Sequence, residues 1–260
     1  MENTENLKVT YLGGPTIILE ISGIRFIVDP TFDEANTTYP LGPNLTVTKT
    51  AGPVSTDIGH IDAILLSHDQ HYDNFDGAGR ELAKKVDKVF ITAEGAERMK
   101  GSSIGLHPWE SYIMDAPNGD KVTITSTPAR HGPAGIEKIS GEVTGYIITV
   151  SGSANYELYI TGDTVYYDGV AQVAKKYKPA YIFANAGGAQ PRGPFFVTMS
   201  TNDVLDTSYV FPEAIVIPLH YEGWSHYTQG QDALTQSFNA LGIGNRLKIL
   251  PAGISESLPV

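Results

Sequence analysis

The chain contains no cysteine. That excludes disulfides and any thiolate metal site, so only imidazole, carboxylate, amide or water could hold an ion. Such ligands suit zinc, manganese or iron(II) better than softer metals. Long apolar runs are also missing. No stretch approaches the ~20 apolar residues of a membrane span. The N-terminal "MENTENLKVT" has neither a basic start nor an apolar core, so no signal peptide is expected, and a cytoplasmic location fits the lack of cysteine. Positive charge is scarce: 18 Lys and Arg stand against 29 Asp and Glu, a net charge of −11. A phosphate-backbone binder needs a basic surface, so nucleic acid is not an expected partner. There is no P-loop or dinucleotide fingerprint, and no covalent nucleophile is expected.

What is present is a globular composition, 41% hydrophobic and 18% charged over 260 residues. It allows one large α/β domain or two small ones, with a real core. Strand-like runs rich in Val, Ile, Thr and Tyr fall at 8–13, 16–21, 24–29, 62–67 and 88–92, then at 121–128, 144–150, 157–162, 180–184 and 214–219. Helical spacing of apolar residues appears at 77–86, 169–177, 201–210 and 232–241, with Ser200 or Thr201 as an N-cap. This order predicts two sheets packed face to face with helices outside. The weakly periodic segment 31–60 is expected to be a functional loop or a lid.

Five of the strand-like runs lead into a potential metal ligand: Asp29, His68, His131, Asp163 and His220. Groups at the carboxyl ends of strands tend to meet at one rim, where ligands bind in α/β folds. One histidine there would mean little, but three histidines and two aspartates point to a metal. The densest cluster is "SHDQHYDNFD", residues 67–76.

Laid in order, "YLGGPTIILEISGIRFIVDPTF", "SHDQHYDNFD", His131, Asp163 in "TGDT" and His220 in "PLHYEGW" resemble the motifs of the metallo-β-lactamase-fold hydrolases. The likeness is strongest to the branch of ascorbate-6-phosphate lactonase and N-acyl-phosphatidylethanolamine phospholipase D. It implies a four-layer αβ/βα sandwich of two mixed sheets, with 1–260 as a single domain. It also implies one or two metal ions, most simply zinc, with manganese or iron open. The reaction it implies is hydrolysis by a metal-activated water of a small ester, lactone or phosphodiester. The implied ligands are His68, His71, Asp73, His131, Asp163 and His220, with Asp73 also orienting or deprotonating the water.

The second motif departs from the family's H-x-H-x-D-H. His68 and His71 are separated by Asp69 and Gln70, where the family has one residue. Either one residue is inserted and His71 is the ligand, or Gln70 is a weak amide ligand. Imidazole favours the insertion. Asn74 then replaces a family histidine, which raises the alternative of a metal-binding protein with little turnover. Asp29 is expected behind the ligands, orienting them. His226 is a candidate proton donor, and Arg192 or Arg130 a candidate anion contact. Tyr221, Trp224 and Tyr227 are candidate walls of a substrate pocket. The expected partner is a small-molecule substrate, and a homo-oligomer stays open.

Overall fold

The computed structural model describes residues 7–260, so the expectation that no signal peptide is present falls partly, at residues 1–6, outside the described residues. The first half runs β1 (Leu7–Gly13), β2 (Thr16–Ile21), β3 (Ile24–Val28), β4 (Thr38–Gly42), β5 (Leu45–Thr48), β6 (Ala63–Leu65), α1 (Gly77–Ala83), β7 (Val89–Thr92), α2 (Ala93–Met99) and β8 (Ser103–Leu106). The second runs β9 (Ser111–Asp115), β10 (Lys121–Pro128), α3 (Glu137–Ser140), β11 (Thr144–Ser151), β12 (Asn155–Ile160), α4 (Asp168–Lys176), β13 (Tyr181–Asn185), α5 (Thr201–Val210), β14 (Ile215–Leu219), α6 (Gln231–Ala240) and β15 (Ser255–Leu258).

Two mixed sheets result. One has the order β15-β1-β2-β3-β6-β7-β8 and the other β14-β13-β12-β11-β10-β9. Strand alternation explains the layers. In β2, Ile17, Leu19 and Ile21 point inward, where they share one core with Ile148, Leu158 and Phe183 of the other sheet. Their neighbour Ile18 faces outward with Ile27 and Ile64, under α1 and α2. On the far side, Ile147, Tyr159 and Ile182 are covered by Val170 and Val173 of α4, Val204 of α5 and Leu234 and Phe238 of α6. Each such side chain contributes ~1.5–3 kcal/mol on burial. A one-residue slip would turn a strand's inner set outward, so the register is strongly specified. The α/β sandwich expected from the sequence is therefore the observed fold. Among the described residues, no helix is long and apolar enough to cross a membrane.

The differences from expectation lie in weakly patterned segments. Strands β8, β9 and β15 have sequences with few β-branched residues, and pairing with a stronger neighbour makes them strands, as β1 does for β15. The segment 31–60 holds the hairpin β4–β5, whose Pro40 is tolerated because the ribbon has only two strands. Ser200 is the N-cap of α5, in a reciprocal capping box with Asp203.

At the end of the sandwich away from the ligand-bearing rim, Asp120 ties three turns together. Its carboxylate accepts from Ser22 Oγ at 2.8 Å, Asn118 Nδ2 at 2.8 Å, and Ser153 N and Oγ at 2.6 and 2.8 Å. The backbone N–H of Ser153 contributes most to lowering its pKa to about 2. A depressed carboxylate stabilises the fold above its unfolded pKa of about 4, and the gain disappears as pH falls through the folded value. Asp120→Asn is therefore expected to lower the melting temperature at pH 7. The gap to the parent should close between about pH 4 and pH 2. A gap independent of pH in calorimetric scans would contradict this role.

Candidate metal centre

Both sheets deliver polar side chains to one rim. His68 follows β6, Asp29 follows β3, His131 follows β10, Asp163 follows β12 and His220 follows β14. Two of these positions are strained. Asp29 has φ +38° and His220 φ +58°, a region that non-glycine residues rarely occupy and that clusters at functional sites. Asp163 depends on Gly162, at φ +60°, where a Cβ would collide with the Thr144 carbonyl.

His68, His71 and His131 form one group whose nitrogens lie within 4.8 Å of one another. His71 Nδ1 is 3.0 Å from His68 Nε2 and 2.9 Å from His131 Nε2. His131 Nδ1 donates to the Val197 carbonyl at 2.7 Å, which leaves its Nε2 facing the cluster. One proton on His71 Nδ1 cannot satisfy both neighbours. The three rings converge as metal ligands do. Burial, then the neighbouring imidazoles, push the His68 pKa well down, and the same causes bring His71 to about 4. Both are thus neutral at pH 7, the state in which imidazole binds a cation.

Asp73, Asp163 and His220 form a second group within the same limit. His220 Nε2 lies 3.6 Å from Asp73 Oδ2, and its Nδ1 lies 3.3 Å from Asp163 Oδ1. Among the described residues, neither His220 nitrogen has a hydrogen-bond partner, nor does Asp163 Oδ2. That oxygen lies 3.8 Å from His131 Nε2, between the two groups. Orphaned buried donors and acceptors are costly. A cation in each group would satisfy them, and their N/O chemistry fits zinc, manganese or iron. Burial acts to raise Asp73, but the His226 bond and the charges of His226 and His220 hold it well below the usual carboxylate range.

The remaining candidates separate. Gln70 is turned outward, donating to Glu142 Oε2 at 2.8 Å, so the structure brings His71 rather than Gln70 into the cluster. Asn74 is fully buried behind the second group. Its amide nitrogen donates to Asp29 Oδ2 at 3.1 Å and Asp163 Oδ1 at 3.2 Å, while its Oδ1 has no partner. Asp29 accepts from Ser67 N at 2.7 Å and from Asn74, which fastens the loop carrying His68. Burial first, opposed by those bonds, raises its pKa to about 7. His226 Nε2 lies 2.9 Å from Asp73 Oδ2, and its Nδ1 is buried without a partner.

A narrow cleft with room for about 20 Å³ lies above the histidines, lined by His71, Asp73, His131, His226, Arg192 and apolar Leu41, Val47, Ile136, Pro191 and Val197. Leu41 and Val47 belong to the β4–β5 hairpin, and Arg192 Nη2 donates to the Leu41 carbonyl at 2.6 Å. The hairpin thus forms one wall of the cleft. The structure places the other candidates outside this lining. Tyr221 stacks on Tyr11, with ring centroids 6.2 Å apart. Trp224 packs beneath the hairpin against Tyr39 and Val47, behind the cleft wall. Tyr227 belongs to the same support. Arg130 is held over the Tyr167 ring at 4.5 Å, away from the cleft.

Sequence reasoning missed three groups around the ligands. Asn185 Nδ2 donates to Asp163 Oδ1 at 2.7 Å. It ends β13, so the strand-end rule would have found it had amides been included. Ser67 Oγ lies 2.9 Å from His68 Nδ1. The Val197 carbonyl that orients His131 has no sequence signal. One motif is a coincidence of spacing. Gly101, Ser103 and Gly105 have the Gly-x-Ser-x-Gly pattern, but Ser103 opens a strand after a helix. A nucleophile elbow needs the reverse order.

A family model described as "Beta-lactamase superfamily domain" matches residues 24–221. A UPF0173 metal-dependent hydrolase of Carboxydothermus hydrogenoformans is 26% identical over 251 residues, covering 95% of this chain and 98% of that one. The N-acyl-phosphatidylethanolamine-hydrolyzing phospholipase D 1 of Caenorhabditis elegans is 27% identical over 203 residues, 72% of this chain and 55% of the relative. Among solved structures, an isothiocyanate hydrolase from Delia radicum gut bacteria superposes with a TM-score of 0.81 at 22% identity, over 97% of this chain and 99% of that one.

Proposed function

The chain belongs to the beta-lactamase superfamily, and from that membership we propose that it is a metal-dependent hydrolase of a small ester, lactone or phosphodiester, working as one domain over 1–260. The observation that carries this reading is the pair of donor groups flanking Asp163 Oδ2, with buried ligand atoms that nothing among the described residues satisfies. His68, His71 and His131 would hold one ion, and Asp73, Asp163 and His220 a second. An ion so held supplies Lewis acidity and lowers the pKa of a bound water. Zinc fits the three-histidine group best. The second group, with two carboxylates and one imidazole, also suits manganese or iron.

The protein's own groups have distinct tasks. Asp73, anionic, faces the reacting centre and accepts a hydrogen bond from His226. His226 can pass a proton from its buried position to a leaving group. The apolar cleft walls exclude water, and Arg192 is the one cation among them, placed to meet an oxyanion or an acidic substituent.

The test is a panel of chromogenic esters, lactones and phosphodiesters, with a short isothiocyanate added because of the structural neighbour. Turnover of one class, abolished by a chelator and restored by zinc or manganese, is expected. A metal-loaded protein that turns over none of them would leave a binding protein. His226→Gln should lower kcat by roughly 10²–10⁴-fold while metal content stays at the parent level. Unchanged kcat would remove His226 from the proton path.

A further inference from the structure

We propose that Arg98 and Glu142 are positioning residues for the metal centre, bracing Asp69 and Gln70, the two residues that stand between His68 and His71; this rests on the metal reading above. His71 offers Nδ1, whereas His68 and His131 offer Nε2. Nδ1 lies close to the main chain, so no long side chain separates the donor atom from its backbone. The place of that atom is set by the loop more than by a rotamer. The loop just before it is Asp69 and Gln70, and both are fastened from outside.

Arg98, in the last turn of α2, grips the Asp69 carboxylate with a fork: Nη2 to Oδ1 at 2.7 Å and Nε to Oδ2 at 3.1 Å. Its Nη1 reaches Glu142 Oε2 at 3.1 Å. The same Glu142 oxygen accepts from Gln70 Nε2 at 2.8 Å. Arg80 of α1 donates to the Asp69 carbonyl at 2.6 Å. The outward turn of Gln70 is therefore bound rather than free, and the extra residue is accommodated without moving His71 out of reach of His68 and His131. A fork is geometrically specific in a way a single ion pair is not. Bonds behind a ligand commonly govern affinity by ten- to hundredfold.

The experiment measures zinc affinity by competition with a chromophoric chelator, and the cobalt(II) absorption spectrum, in the full chain. Arg98→Met is expected to weaken zinc about ten- to hundredfold and to alter the cobalt bands. Glu142 is half exposed, so its variants should fold even if Arg98→Met does not. Glu142→Ala should weaken zinc several-fold, and Glu142→Gln, whose amide oxygen still accepts both bonds, should restore most of that loss. A lower melting temperature of the metal-free protein with parental zinc affinity and cobalt spectrum would make the network merely structural and overturn the proposal. Equal losses for Glu142→Ala and Glu142→Gln would also overturn it. If the parent itself takes up neither zinc nor cobalt, the metal reading fails and the brace with it. If the parent binds and the variants bind alike, only the brace fails.

Discussion

His131→Ala is expected to empty the three-histidine group and abolish hydrolysis. The mutation removes an inward-facing Nε2 that the Val197 carbonyl has already oriented, so a ligand is lost rather than loosened. Loss of a partner behind a ligand commonly weakens metal by ten- to hundredfold, and loss of the ligand itself should exceed about a hundredfold. His220→Ala should differ in kind. It leaves His68, His71 and His131 intact and removes one of three donors of the second group. Elemental analysis should then find one ion retained per chain with activity lost. Asp163→Asn should affect both ions, because the free Oδ2 lies between the groups. Parental metal content in His131→Ala would undo the ligand set proposed here.

The contrast between those variants shows what the sequence can carry. Strand-end residues were legible because side-chain alternation and apolar runs mark the strands, and the residue after each run must emerge at the rim. The insertion between His68 and His71 was legible as an ambiguity only. Deciding between Gln70 and His71 takes the position of Glu142, which is more than seventy residues away in sequence. The aromatic residues beside His220 show a related limit. Tyr221 and Trp224 are near the ligand in sequence, yet the left-handed backbone at His220 turns the chain so that they pack on Tyr11 and under the hairpin. The hairpin itself was hidden, since "TYPLG" and "LTVT" have only two strands' worth of pairing and little apolar pattern.

Asp76→Ala is expected to be among the most destabilising single changes in the chain. Asp76 is fully buried, and it accepts from Lys49 Nζ at 3.0 Å, from Asp33 N at 2.6 Å and from Gly79 N at 2.9 Å, the last as N-cap of α1. Lys49 is nearly as buried, with 3% of its side chain exposed. Burial lowers its pKa, and the charge of Asp76 is the main force opposing that shift. Removing the carboxylate leaves the buried ammonium only the more distant Asp33 charge and the Trp224 ring, 5.6 Å from Nζ. A broken buried pair costs about 3–5 kcal/mol, and a lost cap about 1 kcal/mol more. The sign with pH follows from linkage. In the variant the folded state favours neutral Lys49 more strongly than before, while the unfolded lysine titrates at about 10.4. The deficit should therefore be largest near neutrality and shrink as pH rises toward that value. Replacing both residues, Lys49→Met with Asp76→Asn, should recover much of the loss, because no buried charge remains. Function should follow the same contact. Lys49 directly follows β5, and the hairpin it anchors carries Leu41 and Val47 over the cleft. A residual folded fraction of Asp76→Ala should show a raised KM with its metal content intact. Denaturant unfolding that finds less than about 1 kcal/mol of loss would mean that Lys49 escapes to water when its partner is removed. The hairpin would then be held by its other contacts.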